Sequence, residues 1–177
     1  MVQAELLVQP QSALALASMP VVLVHPFYDA HEHVPRYDLF KFKQDSRMTV
    51  QPPTILPGYL LNLDRLVSEH TAPVFVFEEE ESAKRTEERL KKLNPALELY
   101  VVPTKPHSPE PRSQNWEEVT KRIHAAGQRI AFAGGFLWYC RSQESPEKSH
   151  LNGCLGTTYV KLARKGNVFI DGCCYCT

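Results

Sequence analysis

One cysteine near the C-terminus stands at the start of a predicted helix, where a thiol can act as a nucleophile. Cys154 begins a stretch in which Leu155, Tyr159 and Leu162 fall on one helical face. The N–H groups of a helix N-terminus carry partial positive charge, which stabilises a thiolate and the oxyanion formed when a thiolate attacks a carbonyl. Cys154 is therefore the strongest candidate for chemistry in this sequence.

Short apolar segments alternate with amphipathic stretches along the whole chain, and this order predicts how Cys154 is positioned. Strands are predicted at 21–24, 73–77, 97–102, 130–133 and 168–170. The pattern predicts one α/β domain over 1–177, three-layer and doubly wound, with a mainly parallel five-stranded sheet. Residues 1–20 are predicted to form a flexible arm or short helix, and 27–57 a long loop or lid.

Ligands of doubly wound sheets bind beyond the carboxyl ends of the strands, near a switch in strand order. The residues predicted to lie there are 25–29, 78–80, 103–107, 134–135 and 171–174. The four consecutive glutamates, Glu78 to Glu81, are interpreted as favourable negative charge at the start of the following helix. We also expect the Cys154 sulfur to lie within about 8 Å of an ionisable side chain from 25–33.

The Cys154 segment resembles the last third of the isochorismatase-like cysteine hydrolases, a family that includes nicotinamidases and N-carbamoyl-amino-acid amidohydrolases. Cys154 and Thr158 match the family's nucleophile and the threonine that follows it, with Leu155 replacing the family's valine. Gly166 stands where the family's helix ends, and Asp171 where its next strand ends. The resemblance is confined to the C-terminal half of the chain.

The family's other catalytic positions match this chain only in part. Lys105 stands where the family has a lysine after a middle strand, but His25 occupies the place of the aspartate that ends the first strand. The nearest carboxylate is Asp29. An insertion at 141–152 precedes Cys154, and Cys140 fits the family's shorter spacing but lacks the threonine and the helix.

The resemblance implies a hydrolase of a small amide-like substrate that uses a Cys154 thiolate. Asp29 or His25 would serve as the base, and Lys105 would stabilise charge. The alternative is a non-catalytic, Rossmann-like ligand-binding or interaction protein that has lost the catalytic carboxylate, and His25 at the aspartate position favours it. No cofactor is expected for either function.

Two further clusters contain metal-ligating residue types. Asp29, His31 and His33 alternate along the chain and could hold a divalent metal, but a solvated polar loop after the first strand is the favoured explanation. Cys173 and Cys176 form a Cys-x-x-Cys pair at the end of the chain, which is half of a zinc site. Buried strand cysteines and a frayed terminus are the simpler explanation.

Composition limits the partners and the compartment. The 177 residues contain 20 Lys and Arg and 20 Asp and Glu, so nothing in the net charge favours nucleic acid or an anionic membrane surface. No apolar stretch is long enough to span a bilayer. The five cysteines, without an export signal, predict a reduced protein in the cytoplasm. Aromatic residues in 27–57 suit a substrate lid or a homo-oligomer interface.

Overall fold

The computed structural model describes residues 17–27, 59–106, 108–135, 154–162 and 168–175. Strands and helices alternate along this part of the chain. The elements are β1 (Val21–Val24), α1 (Tyr59–Ser68), β2 (Val74–Glu79), α2 (Glu80–Leu93), β3 (Leu99–Thr104), α3 (Trp116–Ala126), β4 (Ala131–Gly135), α4 (Cys154–Leu162) and β5 (Val168–Tyr175).

The strands form a parallel sheet in which β1 is central. Four strands lie in the order β3-β2-β1-β4, and β5 pairs in parallel with β4 at the other side. Val24 lies opposite Phe77 of β2 and Gly134 of β4. The carboxyl ends of these three strands therefore lie side by side. The α/β class and the parallel sheet predicted from the sequence are confirmed.

The central strand β1 is apolar at every position, and its side chains pack in two separate clusters with residues of the helices. Alternate residues of a strand point to opposite faces. Val21 and Leu23 pack in a cluster with residues of α1 and α2, whereas Val22 and Val24 pack with residues of α3 and α4. The β1 side chains are at most 1% exposed. A strand buried on both faces gives the residue that follows it a fixed position.

Local signals explain where the helices begin. The Asn115 side chain accepts the N–H of Glu118 at 2.8 Å and so caps the start of α3, and Gly127 follows the last residue of that helix. Helix α2 begins at Glu80, inside the run of four glutamates, and Glu80 and Glu81 occupy its first turn. Negative charge there is favourable for the helix dipole.

Two strands run further than the sequence predicted. Pro103 was expected to close β3, but the strand continues to Thr104. Strand β3 lies at the edge of the sheet and pairs only with β2. A proline is tolerated in an edge strand because its missing N–H can face the side on which no further strand pairs. Strand β5 extends to Tyr175 through a register shift opposite β4, so Asp171 lies within a strand rather than at its end.

Most of the predicted arm and all but the first residue of the predicted lid lie outside the described residues. At the end of the arm, the Ala17 carbonyl accepts hydrogen bonds from the backbone N–H groups of Thr71 and Ala72. In the described part of the chain, no helix has the length and apolar character needed to cross a membrane.

Candidate active site

A buried histidine marks the carboxyl end of the central strand. His25 directly follows β1, and its side chain is 1% exposed. Its backbone N–H donates to the Phe77 carbonyl oxygen at 2.9 Å, which continues the pairing of β1 with β2. Its φ is 44°, in the left-handed region that non-glycine residues rarely adopt. Such strain, about 1–3 kcal/mol, persists where the surroundings fix the residue, and it is concentrated at functional sites.

A buried glutamate at the end of β2 faces this histidine. Because Val24 lies opposite Phe77, the next residues along the two strands, His25 and Glu78, are neighbours. The His25 Nδ1 and the Glu78 Oε1 are 3.2 Å apart, and Glu78 is fully buried. A carboxylate removed from water is costly unless it is paired and hydrogen-bonded.

Further donors complete the surroundings of the Glu78 carboxylate. Its Oε1 also accepts the backbone N–H of Glu79 at 3.0 Å, and its Oε2 accepts the Thr86 hydroxyl at 3.1 Å. Both oxygens are thus bonded, and one of them faces His25. This arrangement suits an ionised carboxylate, which accepts hydrogen bonds and donates none.

The other partner of His25 is Cys154, the first residue of α4. Cys154 acts on the His25 ring and is among the groups that raise the pKa of the histidine. Cys154 is partly buried and packs against the clusters on both faces of the sheet. The expected closeness of the Cys154 sulfur to an ionisable group from 25–33 stays a prediction, and His25 is the described residue of that range on which Cys154 acts.

The threonine after the cysteine has a structural contact. The Thr158 hydroxyl donates to the Cys154 carbonyl oxygen at 2.8 Å, within the first turns of α4. Thr158 is fully buried. The side chain therefore ties the start of the helix together, and it does so at the residue that carries the thiol.

His25 is surrounded by groups that favour its protonated form. Burial lowers the pKa of His25, but hydrogen bonds and opposite charge from Cys154 and Glu78 outweigh burial and raise the pKa to about 10. An imidazolium beside a buried carboxylate is a charge-assisted pair. Cys154, His25 and Glu78 thus form a connected cysteine–histidine–glutamate group.

A glycine forms the close packing between β1 and β4 beside this group. Gly134 has a φ of 121°, and a Cβ atom there would overlap the backbone carbonyl oxygen of Val24. Only glycine allows β4 to approach the end of β1 so closely. The residue next to Val24 is His25, so this packing also fixes the histidine backbone.

Among the other predicted site residues, Lys105 is described, and it is not part of this group. Lys105 is half exposed, and its ammonium pairs with Glu110 at 2.8 Å. Asp29, His31 and His33 lie outside the described residues. Over the described ranges, no three His, Cys, Asp or Glu side chains are grouped as a metal site requires.

Glu78 is the functional residue that sequence reasoning missed. The sequence placed it among the residues at a strand end, but it was interpreted with Glu79, Glu80 and Glu81 as charge at a helix start. The structure divides the run, since Glu78 and Glu79 end β2 and Glu80 and Glu81 begin α2. The signal in the sequence is the apolar run directly before Glu78, because a buried strand that continues past its apolar residues also buries the next side chain.

Comparisons with protein families, curated proteins and solved structures give no match to this chain. The resemblance to isochorismatase-like hydrolases therefore stays a prediction. The chemistry open to this chain is set by Cys154, His25 and Glu78.

Proposed function

We propose that this chain is a cysteine-dependent hydrolase of a small amide-like substrate, isochorismatase-like, with a three-layer, doubly wound fold. One observation carries the proposal: the buried His25 is bonded to the buried Glu78 carboxylate, and Cys154 at the start of α4 helps to raise the His25 pKa. A nucleophile, a base and a group that orients the base are the parts that covalent hydrolysis requires. A reducing compartment such as the cytoplasm keeps the thiol available.

The residues that act in the first half of the reaction are Cys154 and His25. The Cys154 thiolate attacks the substrate carbonyl carbon, and the carbonyl electron pair moves to oxygen. Backbone N–H groups in the first turn of α4 lack helical partners, so they can donate to this oxyanion. When the intermediate collapses, the C–N bond breaks, and the leaving amine takes the proton of the His25 imidazolium. A thioester on Cys154 remains.

The second half of the reaction uses the neutral His25 as a general base. It takes a proton from water while the water oxygen attacks the thioester carbon. The carboxylic acid leaves, and the thiolate and imidazolium are restored. Glu78 bonds to Nδ1 throughout, so Nε2 is the nitrogen that exchanges the proton. In this mechanism His25 takes the role that the family gives to an aspartate.

The test uses p-nitrophenyl acetate as an acyl donor, with peptide mapping to find the acetylated residue. We expect a burst of nitrophenolate and acetyl on Cys154. Cys154→Ala should abolish both, His25→Gln should slow acylation by about 100-fold, and Glu78→Gln should have a smaller effect in the same direction.

Cys140→Ala is the matched control, because Cys140 fits the family's shorter spacing. It should behave like the unchanged protein. Acetyl on Cys140 instead of Cys154, or no burst at any cysteine, contradicts the proposal.

The second candidate function is a non-catalytic ligand-binding or interaction protein. The observation that favours it is the half-exposed ion pair of Lys105 with Glu110, because the lysine of the resembling family acts at the catalytic centre. If Cys154 is alkylated by iodoacetamide only as fast as free cysteine at pH 6, this candidate replaces the hydrolase.

A further inference from the structure

The Glu78 carboxylate has two oxygens with different surroundings. Oε1 faces the His25 ring and also accepts the Glu79 N–H, whereas Oε2 accepts the Thr86 hydroxyl. Thr86 lies in α2, the helix that directly follows β2, and it is fully buried. A side chain from a second element thus holds the oxygen that points away from His25.

A carboxylate rotates about its last side-chain torsion, which is broad. With Oε2 bonded to Thr86, the plane of the carboxylate is set, and Oε1 stays directed at the His25 Nδ1. Groups that orient a catalytic side chain through such contacts commonly matter for its function as much as for its stability. The Thr86 hydroxyl is also neutral, so it fixes the carboxylate without cancelling its charge.

We propose that Thr86 is a positioning residue that holds the Glu78 carboxylate against His25. This inference rests on the proposed function, in which the Glu78–His25 pair serves Cys154. His25 is faced by Glu78 from β2 and by Cys154 from α4, so loss of one partner changes its proton affinity measurably. The sequence gives no sign of this role, because Thr86 belongs to the buried stripe of an amphipathic helix.

The experiment is a pH titration of the His25 ring by NMR in the full chain, with the His25 signal assigned from a His25→Gln spectrum. In the unchanged protein the midpoint should lie well above that of an ordinary histidine. Thr86→Val removes the hydroxyl but keeps the shape. The freed carboxylate then turns from His25, and the midpoint should fall by about one pH unit, tenfold in proton affinity. Thr86→Ser should restore it.

Thr104→Val is the matched control. Thr104 is also fully buried, and its hydroxyl has no hydrogen-bond partner among the residues that the structure describes. The same substitution there should leave the His25 midpoint unchanged. Where Thr86→Val does not fold, Thr86→Ala replaces it, because the smaller side chain cannot clash.

The outcomes separate positioning from packing. An unchanged or raised His25 midpoint in Thr86→Val, or a Thr86→Ser variant that shifts like Thr86→Val, overturns the inference. The titration needs no substrate, so it stands apart from the acylation test. If the His25 midpoint falls in Thr86→Val but Cys154 is never acylated, the positioning role of Thr86 is supported and the hydrolase function is rejected. If Cys154 is acylated but the midpoint does not fall, only the positioning role of Thr86 is rejected.

Discussion

Two buried histidines lie at opposite ends of the sheet, and their surroundings have opposite effects on the proton. His25 at the carboxyl end is 1% exposed, and His70, in the segment that leads into β2 at the amino end, is 3% exposed. Burial lowers the pKa of His70, and the backbone of Met19 opposes this only in part. The pKa of His25 is instead raised to about 10, because Cys154 and Glu78 outweigh burial.

The comparison shows that burial alone does not decide the state of a histidine. Around His70 the contacts join backbone segments, such as the Asn94 amide that donates to the His70 carbonyl oxygen at 2.9 Å. Around His25 the contacts come from side chains that carry charge when ionised. The surroundings of His70 at the amino end therefore favour the neutral ring, whereas those of His25 at the carboxyl end favour the protonated ring. Shifted pKa values of this kind are concentrated at catalytic sites.

The largest expected effect is a difference in unfolding free energy between glycine substitutions at the carboxyl and amino ends of the sheet. Gly134→Ala forces a side chain into a φ of 121° and against the Val24 backbone, so we expect it to destabilise the protein by roughly 3 kcal/mol or more. Gly127→Ala at the amino end should cost less. Gly127 has an extended φ of 177°, and its new Cβ would meet the Pro20 side chain at 2.9 Å, which can shift.

Urea unfolding of both variants at neutral pH checks this order. The substitution is the same in each, so the difference reports the local backbone rather than the added methyl group. Equal losses of unfolding free energy would show that the approach of β4 to β1 is not specially constrained, and would remove the reason for glycine beside the site.

The next largest effect is a pH dependence with two limbs of opposite sign. The folded pKa of His25 lies above its unfolded value of 6.5, so its stabilising effect is complete below about pH 6.5 and is lost as pH rises towards 10. The folded pKa of His70 lies below 6.5, so stability is lost as pH falls below about 6.5. Unfolding free energies from pH 5 to pH 10.5 should therefore decline at both ends.

Variants assign each limb to one histidine. His25→Gln should flatten the alkaline decline and keep the acid one, and His70→Gln should do the reverse. Only the slopes are compared, because each substitution also changes packing at all pH values. An alkaline decline that persists unchanged in His25→Gln would show that His25 is not protonated in the folded protein, and the contrast between the two ends would disappear.

The sequence predicted the scaffold of the site better than its chemistry. The run Val21–Val24 is apolar at every position, which predicts a strand buried on both faces, and His25 follows the carboxyl end of that strand as predicted. The start of α4 at Cys154 was predicted from spacing alone. These features are local, so they can be seen in a single stretch of chain.

The partner of His25 could not be predicted in the same way. Glu78 is 53 positions away, and it meets His25 because of the register between β1 and β2, which a single sequence does not specify. Its neighbours in a run of glutamates suggested a solvated helix start. A residue whose role depends on register between distant segments becomes visible only when the strands are paired.

The smallest expected effect concerns Lys105, which directly follows β3. Its substitution tests whether this lysine acts at the site of His25 or only at the surface. Its ion pair with Glu110 is half exposed, and such pairs contribute about 0–1 kcal/mol. We expect Lys105→Met to leave the unfolding free energy nearly unchanged. At each pH from 6 to 9, iodoacetamide should alkylate Cys154 in the variant at the same rate as in the unchanged protein. Glu110→Gln, which removes the other half of the pair, is the control for loss of the ion pair itself.

If Lys105→Met slows alkylation and Glu110→Gln does not, the ammonium reaches Cys154 in solution. Lys105 then acts at the active site, as the lysine of the isochorismatase-like family does. If both variants react like the unchanged protein, the charge that stabilises the thiolate comes from His25, and Glu78 sets the strength of that charge.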